Sequence, residues 1–168
     1  MTSMHAGTPR IVVGVDGSRN SLVALCRAAD EARTRGAGLE LVYVLPPGSG
    51  PAAIASGYAM LDMSVRCCAP DGLDVPAHRM VAGGDPAQIL VELSEDAAVL
   101  VVGARLNSES GNLLGGDVVS YCLSRARCPI DICADHQAHA RRADARRAQR
   151  ARAGSRDGAP ELALVRQA

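Results

Sequence analysis

The 168-residue chain contains no lysine, phenylalanine or tryptophan, and its three tyrosines are its only aromatic residues. The absence of lysine excludes a Walker A phosphate loop, because the lysine of that loop contacts the nucleotide phosphates. With so few aromatic residues, any core must be built from aliphatic side chains. Hydrophobic residues make up 48% of the chain, which is ample for the core of one domain.

Several motifs and segments are also missing. The sequence contains no Gly-x-Gly-x-x-Gly, Gly-x-Ser-x-Gly or His-Glu-x-x-His motif. It therefore does not indicate a dinucleotide-binding fold, the nucleophile elbow of an α/β-hydrolase or a zinc metalloprotease. No apolar run approaches the roughly 20 residues that span a bilayer, and the first residues contain no apolar signal segment. We therefore expect a cytoplasmic protein with no membrane partner, and we predict no catalytic residues.

Six cysteines lie at positions 26, 67, 68, 122, 128 and 133, without a Cys-x-x-Cys pair. Because cytoplasmic thiols are normally reduced, we expect six free thiols. Cys26 and Cys122 fall on apolar faces of predicted helices, where cysteine packs like a small hydrophobic residue. The adjacent pair Cys67 and Cys68 makes a poor metal site, and a redox role is the less favoured alternative for that pair.

Charge divides unevenly along the chain. Residues 134–168 hold 8 arginines and 4 acidic residues, against 10 arginines and 14 acidic residues before them. An acidic body argues against general nucleic-acid binding. We predict a flexible arm at 1–9, an α/β domain at 10–134, and a disordered or loosely helical Arg/Ala-rich tail at 135–168. The alternative for the tail is a basic arm that contacts nucleic acid or an acidic partner.

Strand-like and helix-like patterns alternate through the predicted domain. Such alternation implies right-handed crossovers and a parallel sheet, so we predict an open, doubly wound, five-stranded α/β fold with helices on both faces. Because proline is confined to edge strands, Pro76 places the third strand at an edge. The predicted strands are Ile11–Val15, Leu39–Leu45, Val75–Val81, the run that ends at Leu100–Val102, and Pro129–Ala134.

A glycine-bearing loop connects a strand to a helix within the stretch Leu100–Cys133. A helix that begins where such a loop leaves a parallel strand is a natural site for an anion. Gly103 and Gly116 match the first and third glycines of the pattern Gly-x2-Gly-x9-Gly-Ser/Thr. Leu106 stands at the second glycine, and Asp117 stands at the hydroxyl position.

Together with the opening VVGVDGSRNSLVAL, this loop resembles the universal stress protein family over about residues 9–134. The resemblance implies the strand order 3-2-1-4-5, which the strand patterns alone do not fix. It implies a stress-response module that binds ATP or another adenine nucleotide, with slow ATP hydrolysis at most, and a homodimer paired through the final strand. The cofactor-binding residues that it implies are Val15, Asp16, Val44, Val102, Gly103, Leu106, Gly116, Asp117, Val118 and Val119.

These residues also have purely structural interpretations. Asp16 is a carboxylate near a helix N-terminus, where the helix dipole favours it, and Val44 is an ordinary core residue. Asp117 either caps a helix or holds a magnesium ion against phosphates.

Leu106 and Asp117 together indicate a degenerate phosphate loop. A leucine side chain lies where the backbone should approach the ligand, and a carboxylate lies where a hydroxyl would donate to a phosphate. We therefore predict weakened ATP binding. The alternative function is a nucleotide-free dimeric interaction protein that acts through its dimer surface or its basic tail.

Overall fold

Five parallel strands form one sheet, and four helices cover its two faces. The structure is a computed structural model that describes residues 7–106, 113–114, 117–135, 144–145 and 148. The sheet strands are β1 (Arg10–Gly14), β2 (Gly38–Leu45), β3 (Ala77–Gly83), β4 (Val99–Gly103) and β7 (Ile130–Cys133). The helices are α1 (Arg19–Arg35), α2 (Pro51–Cys68), α3 (Pro86–Leu93) and α4 (Asp117–Arg125). A short hairpin consists of β5 (Arg105–Leu106) and β6 (Leu113–Leu114).

The strand order in the sheet is β3-β2-β1-β4-β7. Counting these five strands along the chain gives 3-2-1-4-5, which confirms the predicted α/β fold. The central strand β1 pairs in parallel with β2 and β4, so that Val13 lies between Leu41 and Val101. Because parallel strands end at the same edge of a sheet, the chain segments that follow β1 and β4 emerge side by side.

Local sequence signals set the ends of the helices. The Ser18 hydroxyl caps α1 by accepting a hydrogen bond from the Ser21 amide, and Gly36 ends that helix in the left-handed conformation. Asp85 caps α3 and accepts from the Gln88 amide, with Pro86 at the first helical position. These caps place α1 shortly after β1 and α3 shortly after β3.

The core consists of two aliphatic layers, one on each face of the sheet. Helices α1 and α2 cover one face, where Val13, Leu25 and Leu61 are buried. Helices α3 and α4 cover the other face, where Val12 and Leu100 are buried. The core thus contains no phenylalanine or tryptophan and consists of closely packed aliphatic side chains.

Two details of the predicted elements need correction. The third strand begins at Ala77 and not at Val75, because Pro76 has no amide hydrogen for the ladder; its carbonyl instead accepts from the Leu39 amide at 2.8 Å. This strand does lie at the sheet edge, as predicted. The hairpin after β4 was not predicted, since its strands contain only two residues each.

The expectation of six free thiols is wrong for two cysteines. Cys26 on α1 and Cys68 at the end of α2 form a disulfide, with their Cα atoms 5.5 Å apart. The packing of α1 against α2 brings them together across 42 residues of sequence, which no local pattern reveals. Cys122 is fully buried, in agreement with its predicted place on a packed helix face.

One charged side chain is buried within the sheet. Glu40 of β2 is only 5% exposed, and its carboxylate accepts a hydrogen bond from the Arg10 guanidinium at 2.7 Å. A second nitrogen of Arg10 donates to the Leu93 carbonyl at 2.8 Å. Arg10 thus compensates the buried carboxylate and links β1, β2 and the end of α3.

None of the helices in the described part of the chain is both long enough and apolar enough to cross a membrane.

Candidate functional site

An open cleft of about 560 Å³ lies beyond the carboxyl ends of β1, β2 and β4. Strands β1 and β4 mark the point where the chain reverses its direction of progress across the sheet. In doubly wound sheets, ligands bind at this kind of topological switch point. Helices α1, α3 and α4 and the start of β5 contribute the remaining lining residues, so the fold brings several elements to one site.

The structure brings most of the predicted site residues into this cleft. Leu106 pairs with Leu113 in the short hairpin of β5 and β6. The preceding residue, Arg105, lines the cleft. Gly116 lies outside the described residues. The predicted residues that line the cleft are Val15, Asp16, Val44, Val102, Gly103, Asp117, Val118 and Val119.

One wall of the cleft is made of branched aliphatic side chains. Val102 and Val119 are buried, whereas Val44 and Val118 are half-buried and present apolar surface to the opening. Leu90 of α3 also lines the cleft. A flat apolar ring can bury its faces against such a surface, while a sugar or phosphate would find few polar partners there.

Asp16 is held in a loop whose hydrogen bonds are all local. Its Oδ1 accepts from the Ser18 amide at 2.9 Å, and its own amide donates to the Ser21 hydroxyl at 3.3 Å. Gly17 has φ +78°, a conformation that allows this tight turn between β1 and α1. The carboxylate is therefore fixed at the rim of the cleft, beside the N-terminus of α1.

The environment of Asp16 favours its charged form. Burial of the carboxyl group raises its pKa, but hydrogen bonds from the side chain and backbone of Ser18 and from Ser21 outweigh this effect. The pKa of Asp16 consequently lies below its ordinary value. The group is a carboxylate at neutral pH and can accept hydrogen bonds from ligand hydroxyls.

Gly103 has a packing role in addition to its place in the motif. A Cβ atom at this position would lie 2.6 Å from the Asn20 carbonyl carbon and 2.7 Å from the Ser21 amide nitrogen. Such contacts are far below van der Waals separation, so only glycine lets the end of β4 approach the first turn of α1. This requirement exists without any ligand.

The charged groups around the cleft leave it acidic. Among the residues described, its walls contain two carboxylates, Asp16 and Asp117, against the single guanidinium of Arg105. Asp117 is exposed in the first turn of α4, where the helix dipole favours a negative charge. The described wall thus carries a net charge of about −1 at neutral pH.

Sequence reasoning missed several residues of the cleft. Tyr43 and Leu90 line it although neither belongs to a recognised motif. The sequence contained only indirect signals that these two residues line the cleft. Tyr43 directly precedes Val44, a predicted site residue, and Leu90 lies on the apolar face of α3. The additional lining residues are Gly14, Ser18, Ser21, Val42, Tyr43, Pro86, Leu90, Ala104 and Arg105.

No preformed metal centre accompanies the cleft in the described part of the chain. Within those residues, no group of three histidine, cysteine, aspartate or glutamate side chains is arranged to hold a metal ion. A magnesium ion at Asp117 would therefore need ligands from the nucleotide phosphates and from water.

Solved structures of other proteins share this fold. A universal stress protein from Archaeoglobus fulgidus aligns with a TM-score of 0.61 at 23% identity, covering 76% of this chain and 98% of the other. A universal stress protein in complex with cAMP aligns with a TM-score of 0.58 at 26% identity, covering 76% and 97% of the two chains.

Sequence comparison agrees with the structural comparison. A universal stress protein of Mycobacterium tuberculosis is 35% identical over 129 residues, and one of Mycolicibacterium smegmatis is 32% identical over 137 residues. These matches cover 73% and 76% of this chain but 47% and 46% of the relatives, so the chain spans about half the length of the curated relatives it matches. The sequence profile of the universal stress protein family matches residues 7–133. The chain therefore belongs to the universal stress protein family.

Proposed function

We propose that the cleft binds an adenine nucleotide of low charge and that the protein acts as a nucleotide-responsive regulatory module in stress response. The observation that carries this proposal is the convergence of Asp16 and an aliphatic wall at the switch point between β1 and β4. An ionised carboxylate and an apolar surface are the two chemistries that a nucleoside requires.

The apolar wall suits the adenine ring. Val44 of β2 and Val118 of α4 are half-buried, and both line the cleft. A flat ring that enters the cleft can bury apolar area against these side chains. The Asp16 carboxylate, fixed by Ser18, would then accept hydrogen bonds from ribose hydroxyls. These residues would hold the nucleoside half of the ligand.

The charge of the cleft argues against a strong triphosphate site. Arg105 is the one cation on its described walls, and Asp117 stands where the phosphate loop reaches α4. Two like charges 4 Å apart repel by roughly 4 kcal/mol at an effective dielectric of 20, before screening by salt. AMP, whose charge is about −2, and cyclic AMP, whose charge is about −1, meet less repulsion than ATP, whose charge is about −4. AMP and cyclic AMP therefore fit the charge of the cleft better.

Related structures support an adenine nucleotide as the ligand. Universal stress proteins have been solved in complex with cAMP, with dAMP in a protein from Archaeoglobus fulgidus, and with AMP in a protein from Arabidopsis thaliana. Each of these ligands carries an adenine and a single phosphate group, which is the class favoured by the charge of this cleft.

The principal alternative is a nucleotide-free interaction protein. Strand β7 lies at the edge of the sheet, so in the described part of the chain one side of its backbone is not paired by another strand. A second copy could pair there across a two-fold axis, as the family resemblance implies. In this alternative the dimer surface would be the functional surface, and the cleft would serve no ligand.

Mass spectrometry of ligand released from the denatured protein separates the two functions. The full chain is purified without added nucleotide, and a matched preparation carries Asp16→Ala. We expect AMP or another adenine nucleotide in the wild-type sample and at least tenfold less in the variant. Asp30→Ala, an exposed carboxylate on the distal part of α1, should retain the wild-type amount. Absence of nucleotide from the wild type, together with no binding of added AMP at millimolar concentration, would favour the alternative.

A further inference from the structure

A covalent bond fastens α1 to α2 on the face of the sheet opposite α3 and α4. Cys26 lies in the middle of α1, and Cys68 is the last residue of α2. Their Cα separation of 5.5 Å lies in the range that a disulfide spans without movement of the backbone. The backbones of the two helices therefore place Cys26 and Cys68 at a separation that suits a disulfide.

The contact between the helices does not depend on this bond. Leu25 and Ala29 of α1 and Leu61 and Val65 of α2 belong to the same buried aliphatic layer. Cys68 itself is only half-buried and packs against the margin of that layer. Because non-covalent packing also joins the helices, we expect the reduced chain to keep the same fold. The bond adds a removable restraint.

The remaining cysteines differ sharply in their accessibility. Cys67 is exposed beside the bonded Cys68. Cys122 and Cys133 are buried, and burial raises the pKa of each thiol to about 11. Since the thiolate is the reactive form, these two thiols are poor nucleophiles at neutral pH. Cys128 is free and half-buried. Oxidation is therefore disfavoured at Cys122 and Cys133, whereas Cys67 at the end of α2 is accessible.

The overall use of cysteine also argues against a permanent scaffold disulfide. Secreted domains that rely on disulfides for stability normally pair their cysteines. Here four thiols, Cys67, Cys122, Cys128 and Cys133, remain free within the described residues. One disulfide beside four free thiols resembles the transient or redox-sensing disulfides more than the dense disulfide frameworks of small secreted domains.

We propose that Cys26 and Cys68 form a reversible oxidation site that reacts with hydroperoxides and locks α2 onto α1. One thiolate attacks the peroxide O–O bond, which yields a sulfenic acid and releases an alcohol, or water when the oxidant is hydrogen peroxide. The second thiol then attacks the sulfenic sulfur, the S–S bond forms, and water leaves. Two thiols are thus oxidised and one peroxide is reduced. A dithiol reductant reverses the change by thiol–disulfide exchange.

Thiol counting on the unmodified full chain tests this proposal directly. The reduced protein is treated with one equivalent of hydrogen peroxide, denatured and alkylated, and its intact mass is measured by mass spectrometry. We expect the alkylated thiols to fall from six to four, a peptide map that joins Cys26 to Cys68, and full recovery of six thiols after dithiothreitol under native conditions. The oxidised form should melt about 5–15 °C above the reduced form, because the bond closes a long loop in the unfolded chain.

Two variants supply the controls. Cys68→Ser should abolish both the loss of thiols and the rise in melting temperature, and Cys67→Ser should leave both intact. The proposal would be overturned if peroxide left six thiols, if the map joined a different pair, or if native dithiothreitol failed to reduce the bond. The count on the wild-type chain decides the matter even if a variant does not fold.

Discussion

The Cα atom of Gly103 faces the backbone of Asn20 so closely that a Cβ at position 103 would lie 2.6 Å from the Asn20 carbonyl carbon. The end of β4 therefore meets the start of α1 without any intervening side chain. The same contact brings the loop that holds Asp16 to the same edge of the sheet as the loop after β4. The first glycine of the phosphate motif is thus also a packing residue.

Gly103→Ala should lower the free energy of unfolding by about 2–4 kcal/mol, because the added methyl group meets immobile backbone. Gly38→Ala is the matched control, since that strand glycine has negative φ and its Cβ would lie 3.9 Å from the nearest atom. It should change the stability by less than about 0.5 kcal/mol. Urea denaturation of both variants measures the difference, and equal stabilities would contradict the packing role.

Arg10→Met should destabilise the fold by about 2–3 kcal/mol. The change leaves the Glu40 carboxylate, whose side chain is 7% exposed, without its 2.7 Å partner inside the sheet. Arg127→Met breaks an ion pair of similar length with Glu95, but both of its side chains are exposed, so we expect less than about 1 kcal/mol. Thermal and urea unfolding of the two variants provide the comparison. A larger loss of stability in Arg127→Met than in Arg10→Met would refute the role of Arg10 as the partner of a buried carboxylate.

Asp16→Asn should alter the pH dependence of stability. Because the folded pKa of Asp16 is lowered, the carboxylate contributes stability above its unfolded pKa of about 4 and loses it as the pH falls through the folded pKa. The free energy of unfolding of the wild type should therefore exceed that of the variant at pH 6 but not at pH 2. The difference should stay below about 1 kcal/mol, since Asp16 is exposed. A constant difference across this range would exclude the titration of Asp16 as its cause.

The edge strand β7 leads us to expect a homodimer. Ile130 and Ile132 are half-buried within one protomer, and pairing of two edge strands would cover them further. Light scattering at tens of micromolar protein should give twice the mass of the chain. A mass that corresponds to one chain at this concentration would count against the dimer.

The fold was predictable because its signals are local. Ser18 and Asp85 are capping residues that stand directly before helical patterns, and the strands are short aliphatic runs. The strand order came from the family resemblance, since periodicity does not distinguish one order of parallel strands from another. The convergence of Asp16 and Gly103 followed once that order was assumed, and the pairing of β1 with β4 confirms it.

The contacts that escaped prediction are all distant in sequence. Glu40 interrupts an apolar strand, which hints at a buried charge, but its partner Arg10 is 30 residues away. Cys26 and Cys68 meet only because α1 and α2 share one face of the sheet. The steric need for glycine at 103 likewise depends on how closely α1 approaches β4. Such relationships are set by tertiary packing, and sequence patterns carry no record of them.

The charge of the cleft predicts the order of nucleotide affinities. The experiment compares the wild type with the double change Leu106→Gly and Asp117→Ser, which restores the family pattern at both departures. ATP, AMP and cyclic AMP are each titrated with and without magnesium. The single change Asp30→Ala serves as a control for loss of an acidic residue outside the cleft.

Isothermal titration calorimetry of these nucleotides is the most direct test. We predict that the wild type binds AMP or cyclic AMP more tightly than ATP, and that the double change tightens ATP binding about tenfold, or ~1.4 kcal/mol. The effect should shrink as salt is raised, because screening weakens the repulsion. Tight, magnesium-independent binding of ATP by the wild type, unimproved by the double change, would contradict the account.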